Sequence, residues 1–406
     1  MRRIAQLLLL VFAFATPWEF ALELGEPFGP IARIAGILLL LAAIPAILQA
    51  GRMRTPGPLQ WAVLALYLWF CCSYLWTIDQ AVTLEKLRAY FQEMSIVWLV
   101  WEFADGPRNL RSLFGGYVAG AWVLALVTLA SFATAGAASA GQIRFFAEGL
   151  DPNDTARFLD LGFPFAALLV DAESRPLGRL LALGYFPVGI FAVLLTASRG
   201  GFLAALVALA GSAILLVRSQ PRRVLAGAVA LPALGAALWL LVPNRTLQRL
   251  TTISEQLEAG DLNERVNIWA FGWHAFQEAP WTGTGAGSFV AAAKLAPIDT
   301  AHNTALSIMV AGGLCALMLA AAILALAVRT ILTLRGPLFL AMGAALLVWM
   351  VTTLTAAVEE NRSTWLLFAL IALAGRLAAE EPEALAAEFP ARDSRPALKV
   401  AVEPLL

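Results

Sequence analysis

Twelve separate apolar runs constrain this chain more than any other feature, falling at roughly 4–22, 31–50, 58–76, 83–102, 110–136, 155–171, 177–197, 200–217, 224–243, 303–328, 336–357 and 363–380. A helix needs about 20 apolar residues to cross the hydrocarbon core of a bilayer, and most of these runs supply them. They lack the in/out alternation of a lipid-facing barrel strand, so helices are the expected spanning structure. Sixty per cent of the residues are apolar and 14% charged, which excludes an ordinary soluble domain, where about a quarter are charged. The expected fold is an all-α polytopic membrane protein of about twelve transmembrane helices. The formal charge of zero gives no general attraction to nucleic acid, and no such partner is expected.

Orientation follows from Lys and Arg in the short connections. With the amino terminus in the cytoplasm, the inside set comprises Arg2, Arg3, Arg52, Arg54, Arg108, Arg111, Arg175, Arg179, Arg218, Arg222, Arg223, Arg329, Arg335 and Arg376, with Arg392, Arg395 and Lys399 in the tail. Each inside connection then carries at least two positive residues, and both termini are expected inside. "AFA" at 13–15 resembles a signal-peptide cleavage site, but the apolar run continues past it, so the segment reads as a retained first helix. Cys71, Cys72 and Cys315 all lie in apolar runs and define neither a disulfide framework nor a metal site.

Four regions result: helices one to nine over 1–243, a large helical outside loop over 244–302, helices ten to twelve over 303–380, and a cytoplasmic tail over 381–406. The tail is rich in Ala, Pro and Glu without a sustained apolar face, and is expected to be mobile. The loop places Ile268, Phe271, Trp273 and Phe276 among polar residues, the pattern of helices lying along a membrane surface.

Subtracting the inside set leaves Arg33, Lys86, Arg88, Arg144, Arg157, Arg199, Arg245, Arg249, Arg265, Lys294 and Arg362 on or near the outer face. Buried cations at membrane depth are costly unless paired or hydrated, so they mark candidate functional sites. Arg33, Arg245, Arg249, Lys294 and Arg362 flank helix ends or sit in the loop, where snorkelling to headgroups competes with a functional role. Lys86, Arg88, Arg144, Arg157 and Arg199 share a depth near the outer surface and are expected to form one basic pocket. Such a pocket calls for a polyanion, phosphate suits the guanidinium fork, and outside the cytoplasm a polyprenyl diphosphate fits.

His302, in "AHNTAL", is one of two histidines in the chain. A neutral imidazole there can accept a proton from an incoming hydroxyl, with Arg265 and the pocket arginines holding a sugar diphosphate. Diphosphate is a good leaving group and the loops carry no paired acids of the DxD kind, so protein cations replace a metal and no cofactor is expected. His274, between Trp273 and Ala275, reads as a packing residue. "TGTGAGSF" at 282–289 lacks the strand-to-helix context of a nucleotide fingerprint and reads as tight turns.

"LTASRGGFL" at 195–203, "NERVNIWAFGWHAFQEAPWTGTGAGSF" at 263–289 and "AHNTAL" at 301–306, in that order and placement, resemble the O-antigen ligase and O-antigen polymerase superfamily. The likeness runs from about the fifth helix to the tenth. It implies a GT-C-type fold and a metal-independent, inverting glycosyltransferase in the bacterial inner membrane. The active site would face the periplasm, and the enzyme would move a glycan from undecaprenyl diphosphate to lipid A–core oligosaccharide. The family's essential loop arginine and histidine correspond to Arg265 and His302, and its SRG arginine to Arg199. Lys86, Arg88, Arg144 and Arg157 are assigned to diphosphate binding mainly by the charge argument.

Within the class, an O-antigen polymerase differs chiefly in its acceptor, and protein O-oligosaccharyltransferases carry an additional outside region after the last helices. A lipid-linked sugar transporter is the reading from a different class, with Glu93 and Asp160 as intramembrane acids for ion coupling.

Overall fold

The computed structural model describes residues 1–21, 30–135, 144–172, 175–219, 240–251, 265–296 and 300–390. Among these residues the regular elements are helices, with no strand. The first part of the chain forms α1 (Arg2–Ala15), α2 (Ile31–Ala50), α3 (Pro58–Ser73), α4 (Gln80–Phe103), α5 (Pro107–Ala135), α6 (Pro152–Ala172), α7 (Pro176–Thr196) and α8 (Arg199–Ser219). The loop contributes α9 (Asn244–Thr251), α10 (Arg265–Glu278) and the single turn α11 (Phe289–Ala292). The chain then forms α12 (Thr304–Thr333), α13 (Gly336–Thr353), α14 (Arg362–Glu380) and α15 (Pro382–Glu388). Most of the ninth anticipated span, with Arg222 and Arg223, lies outside the described residues.

Among the described residues, seven helices are long and apolar enough to cross a membrane by themselves: α2, α5, α7, α8, α12, α13 and α14. The sequence pattern predicts twelve spans, and the four other helices at predicted positions fall short for identifiable reasons. α1 stops at Ala15 and gives way to a 3-10 turn over Thr16–Trp18, where Pro17 lacks the N–H that would continue the helix. α3 has only 16 residues. α4 contains Glu85, Lys86, Arg88, Glu93 and Glu102, and α6 contains Asp154, Arg157, Asp160 and Asp171. α6 is packed inside the bundle, whereas α4 turns one face inward and leaves Arg88 and Phe91 exposed on another. Phe158, Leu159, Leu161, Phe163 and Phe165 of α6 are buried among α5, α7, α8 and α13, and α4 packs on α14. The described residues thus form an all-α, multi-pass membrane protein in which the polar helix α6 is wrapped by apolar ones.

α12 is interrupted at Gly313, whose φ of 67° and ψ of −166° lie outside helical values. Non-helical backbone at membrane depth is tolerated where protein satisfies its polar groups, and the segment 279–288 does so. Thr284 donates its N–H to the Val310 carbonyl at 2.8 Å, Gly285 to Ala311 at 3.0 Å, and Leu314 donates to the Pro280 carbonyl at 2.8 Å. Ser73 Oγ accepts the Ala286 N–H at 3.1 Å, and the Trp69 indole donates to the Gly312 carbonyl at 2.7 Å.

This accounts for the glycines of "TGTGAGSF" as contact points. A Cβ on Gly283 would sit 2.5 Å from the Ala311 carbonyl carbon, and one on Gly313 would sit 2.3 Å from that of Trp281. Both positions also have positive φ, which only glycine adopts cheaply. The turns expected here are therefore docked into the bundle, with the N–H groups of Gly283, Thr284, Gly285 and Ala286 already bonded within the protein.

Mobility expected from residue 381 onward does not hold for its first ten residues. Leu385 and Phe389 are buried, Phe389 stacks edge-on to Phe114 at 6.2 Å, and Glu388 pairs with Arg111 at 2.9 Å. Two aromatic and aliphatic anchors within eight residues supply the docking that composition alone obscured. Residues 391–406 lie outside the described residues.

Candidate active site

The start of α8 is built by the run Ser198-Arg199-Gly200-Gly201. Ala197 turns the chain with φ 49°, and Ser198 Oγ accepts the Gly201 N–H at 3.1 Å in the manner of an N-cap. The same hydroxyl donates to Asn153 Oδ1 at 2.7 Å, fixing α8 to the start of α6. The two glycines are places of close approach. A Cβ on Gly201 would lie 2.2 Å from Ala156 Cβ, and one on Gly200 would lie 2.7 Å from Thr355 Oγ1. These contacts gather α6, α8 and the α13–α14 connection at one end of the bundle.

Arg199, held between these anchors, donates from Nε to the Arg249 carbonyl at 2.9 Å. Arg144 donates from Nε to the Thr196 carbonyl at 3.1 Å and from Nη2 to Asn153 Oδ1 at 3.4 Å. Burial, followed by the nearby guanidinium groups of Arg249, Arg265 and Arg199, pushes the Arg144 pKa down to about 10, with Asp151 opposing. Arg265, first residue of α10, is pushed down by burial and by Arg199, again against Asp151. The charges of Arg144, Arg199 and Arg265 are therefore disfavoured by neighbouring guanidinium groups, and a polyanion between them would relieve that repulsion.

Arg265 and His302 are brought to the same junction. Trp269, one turn beyond Arg265 on α10, donates its indole N–H to the Ala301 carbonyl at 3.1 Å. His302 follows with φ 47° and places Nδ1 3.2 Å from Thr300 Oγ1. Asn303 then caps α12 through the Leu306 N–H at 2.9 Å. Thr304 donates to the Ala356 carbonyl at 2.7 Å and accepts from the Val358 N–H at 3.0 Å, which ties the histidine turn to the connection that Gly200 also touches.

The other cations of the expected pocket divide differently. Lys86 pairs with Glu360 at 2.8 Å. Arg157 pairs with Asp154 at 2.7 Å and its guanidinium carbon lies 4.9 Å from the Phe158 ring centroid. Arg362 does not snorkel, because it forms a buried pair with Glu19 at 2.6 Å. These cations make a second group already answered by acids. Arg88 is exposed and stands apart: two residues from Lys86 on a helix of 100° per residue, it faces nearly the opposite way. His274, expected to pack, is exposed on α10. Charge subtraction alone underweighted Arg249 and missed Asn153, Thr355 and the acids Asp154 and Glu360. Outer-end acids in "DPND" and "VEENR" are the signal that would have matched partners to cations.

An α-helical multi-pass membrane protein with Arg144, Arg199, Arg249 and Arg265 gathered at one end of its bundle, and His302 on a turn joined to the Arg265 helix through Trp269, is the class this geometry defines. Residues 185–321, about a third of the chain, match the family described as O-antigen ligase, and over this stretch the chain is similar to that family. The match contains Arg199, Arg249, Arg265 and His302, and begins after Lys86, Arg88, Arg144 and Arg157. No curated protein matches the chain.

Proposed function

We propose that this protein is an O-antigen ligase with a GT-C-type architecture, transferring a glycan from undecaprenyl diphosphate to lipid A–core oligosaccharide on the periplasmic side of the inner membrane. The observation that carries the proposal is the mutual proximity of Arg144, Arg199, Arg249 and Arg265, on elements that also carry His302. Arg144, Arg199 and Arg265 hold the diphosphate, whereas the charges of Lys86 and Arg157 are balanced by Glu360 and Asp154. His302 takes the proton from an acceptor hydroxyl as its oxygen attacks the anomeric carbon. The bond from that carbon to the diphosphate oxygen breaks on the opposite face, undecaprenyl diphosphate leaves with the electron pair, and configuration inverts. Cations stabilise the leaving group without a metal.

The test is transfer in vitro with purified protein, lipid-linked donor and lipid A–core acceptor. Arg265→Ala and Arg199→Ala should abolish product while leaving the fold intact, and wild-type rates in either variant would refute the pocket. Cells lacking the protein should contain free lipid A–core beside accumulated polymer. Single-repeat glycans on the core would instead identify a polymerase. Release of undecaprenyl diphosphate in detergent excludes a transporter, which makes no new bond.

A further inference from the structure

A cavity of about 450 Å³ opens at the other end of the bundle from the candidate active site, between α3, α4, α12 and α14. It is lined by Gln60, Trp101, Leu326, Arg329, Ala372 and Arg376, among others. Arg376 lies fourteen residues beyond Arg362 on α14, roughly 21 Å along the axis at the helical rise of 1.5 Å per residue. The volume is within the range of about 300–1,000 Å³ typical of small-molecule sites.

Two buried polar side chains face this space with donors unused. Gln60 is 1% exposed, and its Oε1 accepts the Gly57 N–H at 3.1 Å while Nε2 has no partner. Arg376 is 6% exposed, its Nη2 donates to the Ala104 carbonyl and its guanidinium carbon lies 5.2 Å from the Trp101 ring centroid. Its Nε and Nη1 have no hydrogen-bond partner. Glu380 comes within 3.9 Å of Nε but is 52% exposed, so this is a loose pairing that water screens. Arg329, exposed on α12, adds a second positive charge to the lining. Buried donors without acceptors are costly and uncommon, and here three of them, two on Arg376 and one on Gln60, face one cavity that Arg329 also lines. An anion with several acceptor oxygens is the complement.

We infer that this cavity binds the phosphate-bearing headgroup of an anionic phospholipid from the leaflet opposite the candidate active site, with its glycerol and upper acyl chain against Leu326 and Ala372. Phosphate oxygens accept from Arg376 Nε and Nη1 and from Gln60 Nε2. The apolar wall favours a lipid over a free anion, because bare phosphate leaves that wall unmatched. Basic recesses between transmembrane helices are suited to such headgroups. The inference is independent of the proposed transfer reaction, since no residue of the cavity belongs to the arginine–histidine site.

The test uses the full-length protein in mild detergent, titrated with mixed micelles of phosphatidylglycerol or phosphatidylcholine, or with inorganic phosphate alone. Native mass spectrometry counts bound lipid. Phosphatidylglycerol should be retained at about tenfold lower concentration than phosphatidylcholine, the scale of one charge-assisted contact. Gln60→Glu keeps the acceptor for Gly57 but repels phosphate, and Ala378→Leu fills the cavity without touching charge. Each should remove that preference while the thermal transition is kept. Equal retention of the two lipids, or an unchanged preference in both variants, overturns the inference. Displacement of lipid by inorganic phosphate at similar concentration assigns the site to a soluble anion and overturns the lipid assignment.

Discussion

The indole of Trp269 donates to the Ala301 carbonyl at 3.1 Å, and this bond couples the helix that begins with Arg265 to the turn that carries His302. Arg265 belongs to the loop helix and His302 to the start of a transmembrane helix, so their registration depends on such contacts. Trp269→Phe keeps the ring's packing and removes the donor. A lost hydrogen bond costs about 1 kcal/mol of stability, whereas an ångström of misplacement at a reacting centre costs on the order of a hundredfold in rate. Transfer by the variant should therefore fall by about ten- to a hundredfold with little change in melting temperature. Unaltered transfer would show that this bond does not set the geometry.

Gly200 and Gly201 are predicted to be steric requirements. Gly200→Ala places its Cβ 2.7 Å from Thr355 Oγ1, and overpacking of this kind costs about 1–3 kcal/mol. Thr355→Ala removes the obstructing atoms. The double variant should recover most of the stability lost by Gly200→Ala, read as a double-mutant cycle in melting experiments. Strictly additive losses would mean that the two residues are not in contact.

Arg199, Arg265 and His302 stand out in the sequence because a polar or charged group beside an apolar run is conspicuous against the bilayer's dielectric. The acids that pair with the other outer cations do not. Nothing local joins Lys86 to Glu360, or Arg362 to Glu19, since those pairs are made by helix packing between distant segments. The interruption of α12 was equally hidden: "AGG" in an apolar run reads as continuous helix until another segment arrives to accept its freed backbone groups. Arg88 was the opposite case, because its spacing of two from Lys86 on a helix already set it on another face.

The glycine-rich segment yields a prediction about stability rather than ligand affinity. Gly285 has φ 111° and a Cβ there would lie 2.1 Å from Thr77 Oγ1. Gly285→Ala and Gly313→Ala should lower the melting temperature, each costing on the order of 1–3 kcal/mol. Donor affinity in the fraction that stays folded should be unchanged. Weakened donor binding at full stability would instead return these glycines to a phosphate-binding role.

Glu359, in the α13–α14 connection, predicts how stability depends on pH. Burial, followed by the adjacent Glu360 carboxylate, raises its pKa to about 8 from an ordinary 4.5. The folded protein therefore keeps this proton through a range in which the unfolded chain releases it. The associated stability is fully present below pH 4.5 and is lost progressively as pH rises to about 8, at up to about 1.4 kcal/mol per pH unit. Melting temperature should fall across that window in the wild type and fall less in Glu359→Gln. Parallel profiles for the two proteins would sink this assignment.

The division of the cations into two groups is itself testable, because Arg88 and Arg144 both lie near the same end of the bundle and only one meets the other arginines. Arg144 feels Arg249, Arg265 and Arg199 and sits on Asn153 Oδ1, which also accepts the hydroxyl that caps α8. Arg144→Ala removes a cation from the proposed diphosphate pocket, and a hydrogen bond to a charged group is worth about 1.5–3 kcal/mol. Donor affinity should fall by roughly ten- to more than a hundredfold on that scale. Arg88→Ala, on an exposed face, should stay within about twofold of wild type, the usual range for an isolated surface substitution. Because screening weakens exposed charges more than buried ones, raising ionic strength should leave the contrast in place. Comparable losses in both variants would mean that the donor contacts the whole basic rim, and the pocket would have to be redrawn to include the outer face of α4.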